Sequence, residues 1–267
     1  VPHGLDFHVY VVAVPRALAM KRLLPDPASA VEVVDAYASP EPPADRPSVR
    51  CNMISTFDGA IAVNGRSGLL GGPADRRVFE VLRSWADVIV VGAGTVRAER
   101  YGPVRLDDGL RDRRRTRGQL PVPPIAIVTR SGNLDWSSSL FTDAEVRPLV
   151  VTSSDSDAES RVRGEQVADF VLAGDEQVDV STALGALHQL GYRSVLLEGG
   201  PGLNANFVAA GLLDELCLTL SPRLVAGSGS RLFAGPELMP PVDVQVEQLL
   251  EEDGFLFFRL RLTRGGG

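Results

Sequence analysis

The stretch Val195-Leu-Leu-Glu-Gly-Gly-Pro-Gly-Leu-Asn-Ala-Asn-Phe-Val208 constrains the fold more than any other part of the chain. It begins as an apolar strand and ends as a helix, with Gly199, Gly200 and Gly202 in the turn between them. Pro201 suits a first helical position, and Leu203 and Phe207 share one helix face. A strand that enters a helix through glycines belongs to α/β architecture. It also brings backbone N–H groups close to a phosphate or pyrophosphate. Glu198 stands at the C-terminal end of the strand, where α/β sheets place their ligands. The same residues also suit a tight strand–helix turn with a solvated glutamate, and alone they do not choose between the two.

The rest of the chain alternates in the same way. Strands are predicted over Val49–Ile54, Asp87–Val91, Ile125–Thr129, Pro148–Thr152, Phe170–Leu172, Ser194–Glu198 and Leu216–Leu220. Pro73 opens a helix in which Val78, Val81, Leu82 and Trp85 keep helical spacing, and a short helix is expected over Thr95–Glu99. Ser181 is expected to cap a helix holding Leu184, Leu187 and Leu190. Val244–Leu250 and Phe255–Leu262 read as an antiparallel hairpin. These elements predict an α/β fold with a mixed, mainly parallel sheet flanked by helices. Residues 21–47 carry six prolines, so residues 1–47 read as an extended arm with a short helix around Ala30–Tyr37, ahead of a single domain over 48–264. Residues 105–121, rich in Arg, Asp and Gly, read as an exposed loop.

Composition narrows the function. With 267 residues and 44% hydrophobic content, the chain can bury a large core. A net charge of −7 argues against a general nucleic-acid binder, because Asp107, Asp108 and Asp112 dilute the arginines at 111–117. Cys51 and Cys217 are isolated, and His3, His8 and His188 do not cluster, so neither a disulfide framework nor a histidine-rich metal site is expected. No apolar run reaches membrane-span length. Val9–Val14 is apolar, but it lacks a basic lead and Pro15 interrupts it; Met20 is a possible natural start. A soluble, cytoplasmic protein is expected.

Three candidate ligand contacts lie at strand ends: Asp58 in Ser55-Thr-Phe-Asp-Gly59, the Gly92-Ala-Gly-Thr95 turn, and Glu198-Gly-Gly200. The 92–95 turn lacks the full dinucleotide fingerprint of a Rossmann domain. Taken in order with Asn64-Gly-Arg-Ser67, Leu82-Arg83, Val90–Val96, Leu197–Leu203, Gly211–Glu215 and Pro222–Gly227, these segments resemble the pyrimidine reductases of riboflavin biosynthesis. In that family the reductase domain is often fused behind a deaminase and has a dihydrofolate-reductase-like fold. The resemblance runs from about residue 48 to 262. No His-x-Glu or Pro-Cys-x-x-Cys of a deaminase accompanies it, so a reductase-only chain is expected.

The resemblance implies hydride transfer from NADPH to a ribosylamino-pyrimidine. Carried over by position, Asp58 and Glu198 are the implied catalytic carboxylates, and Ser67, Arg83 and Glu198 the substrate contacts. The implied cofactor contacts are Ile54, Thr95, Glu99, Gly199, Gly200, Pro201, Gly202, Leu203, Asn204 and Asn206. Arg83 is expected to fork onto a substrate phosphate. Ser153 and Ser154 end a strand that can approach an adenosine 2′-phosphate. Leu69 stands where relatives can carry Trp, and Glu99 where they can carry Asp. A dihydropterin reductase and a non-catalytic NADP-binding paralogue are the alternatives. Family members are often dimers, so a homodimer acting on a small molecule is expected.

Overall fold

Strand β3 (Ser48–Thr56) organises the sheet. It pairs in parallel with β8 (Ser194–Leu197) on one side and β9 (Glu215–Ser221) on the other. Beyond β8 run β4 (Val88–Gly92), β5 (Ile125–Val128), β6 (Leu149–Thr152) and β7 (Asp169–Leu172), all parallel. Beyond β9 the pairing turns antiparallel through β11 (Phe255–Leu262), β10 (Val244–Glu252), β1 (Met20–Leu24) and β2 (Ala28–Val31). The structure, a computed structural model, describes residues 20–39 and 41–263, and these form one eleven-stranded mixed sheet. His3, His8, the Val9–Val14 stretch, Pro15 and the last residue of the expected domain lie outside the described residues. Among the described residues no helix is long and apolar enough to cross a membrane.

Helices cover both faces. Ile89 and Val91 of β4 join one core layer with Val78 and Leu82 of α2 (Pro73–Trp85). Val88 and Val90 join the other with Leu184 and Leu187 of α7 (Val180–Gln189) and Phe207 of α8 (Pro201–Ala209). A strand buried on both faces accounts for the unbroken apolar run at 88–91.

Chain order fixes where the sheet can open. From β3 the chain passes through α2 to β4 and leaves a gap that β8 fills only after β5, β6 and β7 are laid down. From β8 it passes through α8 to β9, on the far side of β3. Strand order therefore reverses at β3 and β8, and a crevice forms at their C-terminal ends.

Three expectations change. The segment before residue 48 is not an arm over its described part. β1 and β2 extend the sheet, α1 (Val33–Ala36) follows, and Met20 and Tyr37 are fully buried. Its prolines misled because Pro25 and Pro27 fall in the connection between two outer strands, where no ladder donor is needed. The 105–121 segment contains α4 (Asp108–Thr116), capped by Asp107, which accepts from the Leu110 N–H at 2.8 Å. Arg114 of α4 is buried and donates to the carbonyls of Ser84 at 3.0 Å and Ala86 at 2.5 Å, closing the C-terminal end of α2. The cap of α7 is Asp179, not Ser181; its carboxylate accepts from Thr182 N–H at 2.7 Å. The C-terminal hairpin forms as expected, with longer strands and a two-residue turn at Asp253 (φ 50°) and Gly254 (φ 81°).

Candidate active site

A cleft of about 1650 Å³ opens at the C-terminal ends of β3, β4 and β8. Its floor is Asn52, Met53 and Ile54 of β3, and one wall is the α2 face carrying Asp75, Phe79 and Arg83. The start of α3 (Ala93–Glu99), with Gly92 before it, and the Gly199–Leu203 segment close the other side.

Glu198 anchors the polar centre. It follows β8 directly, and its side chain is only 2% exposed. Arg83 Nε donates to Oε1 at 2.8 Å and Nη2 to Oε2 at 2.7 Å, while the Tyr101 hydroxyl donates to Oε2 at 2.8 Å. The Arg83 guanidinium lies 4.0 Å from the centre of the Phe79 ring. Burial works against the Arg83 charge, but Glu198 more than offsets it and holds the guanidinium above its usual pKa. Burial and then Glu198 push the Tyr101 phenol well above its ordinary value. The result is a buried carboxylate–guanidinium pair in a largely desolvated wall, its carboxylate oriented by a fork and a phenol.

The glycine turn is built for close backbone approach. The Gly92 N–H donates to Gly199 O at 2.7 Å, and the peptide between Gly199 and Gly200 is cis. A Cβ on Gly200 would lie 2.8 Å from Thr95 Oγ1, and one on Gly92 would lie 3.3 Å from Gly200 N. Gly199 has φ 88°, a region that favours glycine. Among the described residues no side chain caps α8, so its first-turn amides face the cleft open to a ligand.

Most of the expected site residues converge. Ile54, Ser67, Arg83, Thr95, Glu99, Glu198, Gly199, Gly200, Pro201, Gly202 and Leu203 all line the cleft. Glu99 also holds its neighbour: Oε1 accepts from the Ser67 N–H at 2.7 Å.

Several expected residues are placed elsewhere. Asp58 is outside the cleft, where its carboxylate accepts from the Thr56 hydroxyl and from the N–H groups of Val225 at 2.9 Å and Ala226 at 2.6 Å. The Thr56 hydroxyl and then those amides hold its pKa down to about 2. Asn204 is buried below the turn, donating to Leu232 O at 3.1 Å, and Asn206 is on the exposed side of α8. Arg83 is not directed at a phosphate, because Nε and Nη2 both serve Glu198. Leu69 is exposed and outside the cleft; buried Ser153 and exposed Ser154 are outside it too, whereas Arg130 and Ser131 after β5 line it.

Tyr101, Asp75, Phe79 and Arg130 line the cleft as well, and none of them is among the residues expected from the sequence. The spacing of Asp75, Phe79 and Arg83 by four residues was a readable signal for one helix stripe. Tyr101 follows α3 (Ala93–Glu99) in a region without periodicity and gave no such signal.

Residues 47–251 match the family model described as RibD C-terminal domain. The 2,5-diamino-6-ribosylamino-4(3H)-pyrimidinone 5′-phosphate reductase of Archaeoglobus fulgidus is 30% identical over 186 residues, covering 69% of this chain and 84% of the relative. Among solved structures, a pyrimidine reductase-like protein from Corynebacterium diphtheriae superposes with a TM-score of 0.77 at 28% identity, covering 88% of this chain and 100% of its own. A deaminase/5-amino-6-(5-phosphoribosylamino)uracil reductase from Thermotoga maritima shares the fold with a TM-score of 0.64 at 23% identity, over 82% of this chain and 57% of its own.

Proposed function

Because the chain belongs to the RibD C-terminal domain family, we propose that it transfers a hydride from NADPH to a ribosylamino-pyrimidine 5′-phosphate in riboflavin biosynthesis, leaving a ribitylamino side chain. The observation that carries this reading is the position of Glu198. A buried, doubly held carboxylate stands at a strand end, directly before a glycine turn and an uncapped helix N-terminus. NADPH supplies the hydride. When it is bound, the amides of Gly202 and Leu203 would hold its diphosphate, with Thr95 beside them, and Ile54 would offer its ring an apolar contact.

The ribosylamine opens when its nitrogen lone pair forms a double bond to C1′ and the C1′–O4′ bond breaks. Positive charge then develops at the C1′–nitrogen unit. Glu198 faces that charge with a carboxylate already oriented by Arg83 and Tyr101, and it needs no reorganisation when the charge appears. Hydride addition at C1′ quenches the charge, and O4′ takes a proton from water in the open cleft. The names of the relatives favour a pyrimidine over a dihydropterin substrate, and the buried, oriented Glu198 carboxylate at the cleft favours an enzyme over a binding module. We assign the work to a cytoplasmic homodimer. Val244 and Val246 lie exposed on β10 beyond its pairing with β1, which leaves an edge for a second copy.

The test is saturable NADPH oxidation with the ribosylamino-pyrimidine phosphate. NADPH binding without turnover of any such substrate overturns the proposal.

A further inference from the structure

Residues 222–243, between β9 and β10, contain no helix or strand. A structureless connection of that length is uncommon in a compact domain and marks a binding loop or a lid. Both of its ends are pinned. At the near end, the Asp58 carboxylate accepts from the N–H groups of Val225 at 2.9 Å and Ala226 at 2.6 Å, and Arg223 O accepts from the Phe57 N–H at 3.3 Å. At the far end, the Ala234 N–H donates to Pro201 O at 3.0 Å, and the Asn204 side chain donates to Leu232 O at 3.1 Å. The strap between these anchors, residues 227–231, therefore runs from the turn after β3 to the first turn of α8. Ser228, Gly229 and Ser230 line the cleft on the way.

Nothing holds the middle of the strap in place. Among the described residues no backbone N–H from Gly227 to Phe233 has a partner, and a Cβ on Gly227 or Gly229 would meet no atom within 4 Å. Ala226 (φ 61°) and Gly227 (φ 81°) are both left-handed, so the chain turns sharply where the strap leaves the Asp58 anchor. At the other anchor, Asn204 Oδ1 is buried without a partner. A row of free donors at the cleft, with an unfilled acceptor at one hinge, is what a lid leaves behind when it stands open.

The strap's chemistry selects an anion. Residues 226–233 contain no Asp or Glu, and the stretch offers backbone amides, two serine hydroxyls and Arg231. Arg231 is exposed and pairs with no carboxylate among the described residues. Successive free amides in a turn gather anions, and the far anchor is bonded to Pro201 at the uncapped start of α8. We propose that residues 227–231 form a lid that closes over the coenzyme diphosphate at the start of α8, bringing the strap amides and Arg231 to the side of the phosphates turned away from the helix. The inference rests on the coenzyme reading above and adds a moving second half to the phosphate site. Asp58 is then the hinge post of the lid, and lid opening governs how fast the coenzyme leaves.

The test is pulse hydrogen exchange on the full chain, read by mass spectrometry with and without saturating NADPH. The amides of residues 227–231 are expected to exchange freely without the coenzyme and at least about tenfold more slowly with it, alongside those of Gly202 and Leu203. Ser228→Pro/Ser230→Pro removes two donors from an exposed stretch. It is expected to keep the fold of the free protein and to speed NADPH dissociation by about tenfold or more, read by stopped flow. Should that variant lose its fold, the exchange pattern of wild type decides alone. Protection at Gly202 and Leu203 with no change in the strap overturns the lid and leaves the coenzyme reading intact, as does an unchanged dissociation rate in the folded variant. Absence of protection at both places, with no NADPH binding by calorimetry, removes the coenzyme reading and this inference with it.

Discussion

Arg83 and Glu198 meet through two parallel hydrogen bonds, 2.8 Å and 2.7 Å long, across the join between a helix face and a strand end. The sequence places them 115 residues apart. Each is the main electrostatic partner of the other in a largely desolvated wall, so their effects are coupled. Glu198→Gln keeps the shape and removes the charge; kcat is expected to fall by about 10²–10³-fold, the scale for losing one preorganised electrostatic contact, with NADPH affinity nearly unchanged. Arg83→Lys keeps the charge but not the planar fork, and it is expected to lose activity too. Arg83→Ala leaves a buried carboxylate unpaired and is expected to destabilise the fold by about 3–5 kcal/mol, read from denaturant melts.

Asp58 tests whether a strand-end carboxylate is chemical or architectural. Its oxygens hold Val225 and Ala226, and the same loop continues to Ser228, Gly229 and Ser230 at the cleft. Asp58→Asn is expected to raise the KM for NADPH while kcat stays close to wild type. A folded pKa of about 2 lies below the unfolded value, so what this group adds to stability is present above the unfolded pKa and disappears as pH falls through the folded one. Asp58 therefore adds no limb to the pH–rate profile between pH 4 and 9. Steady-state kinetics across that range check both statements, and a collapse of kcat with unchanged KM would restore a catalytic role.

The Gly200 position gives a steric test of the cofactor cradle. A methyl group there would lie 2.8 Å from Thr95 Oγ1, so Gly200→Ala must displace the start of α3 or the start of α8. Overpacking of this kind costs about 1–3 kcal/mol, and NADPH affinity is expected to fall at least tenfold. Removing the clashing oxygen in a Gly200→Ala/Thr95→Ala double variant is expected to recover part of the loss. Calorimetric titration with NADPH reads both results, and additive losses in the double variant would place the defect elsewhere.

The parts legible in the sequence were those whose cause is local. The glycine turn, Pro201 and Glu198 lie in one short segment, and the apolar run at 88–91 reports burial on both faces directly. The less legible parts depend on partners far along the chain. Asp58 reads the same from sequence whether it faces a ligand or two backbone amides near residue 225. Arg114 looks like solvated charge until the open carbonyls at the end of α2 are placed beside it. Met20 and Tyr37 look like parts of a proline-rich arm because the core they complete includes Leu250 and Phe257, more than two hundred residues later.

The N-terminal segment is tied to the sheet by charge as well as by strand pairing, and this gives the molecule an acid-sensitive joint. Glu215 on β9 pairs with Arg50 of β3 at 2.7 Å and with Arg259 of β11 at 2.8 Å. The same two guanidiniums reach the carbonyls of Tyr37, at 2.8 Å from Arg50, and Ala36, at 2.7 Å from Arg259, at the end of α1. Burial alone would raise the Glu215 pKa, but Arg50 and Arg259 more than offset it, and the carboxyl is held below its usual value. A depressed folded pKa means that the stabilisation is complete above the unfolded value, about 4.3, and is lost as pH falls through the lower folded value. Protonating Glu215 leaves the buried Arg50 and half-buried Arg259 guanidiniums without their counter-ion and loosens their hold on residues 36–37. Glu215→Gln is expected to lower stability at neutral pH, by about 3 kcal/mol if it behaves like other broken buried pairs. It is also expected to flatten the acid limb of the stability curve, because the group that titrates is gone. Melts of wild type and Glu215→Gln from pH 3 to 7 give both readouts, and parallel acid limbs for the two proteins would show that the acid sensitivity arises elsewhere.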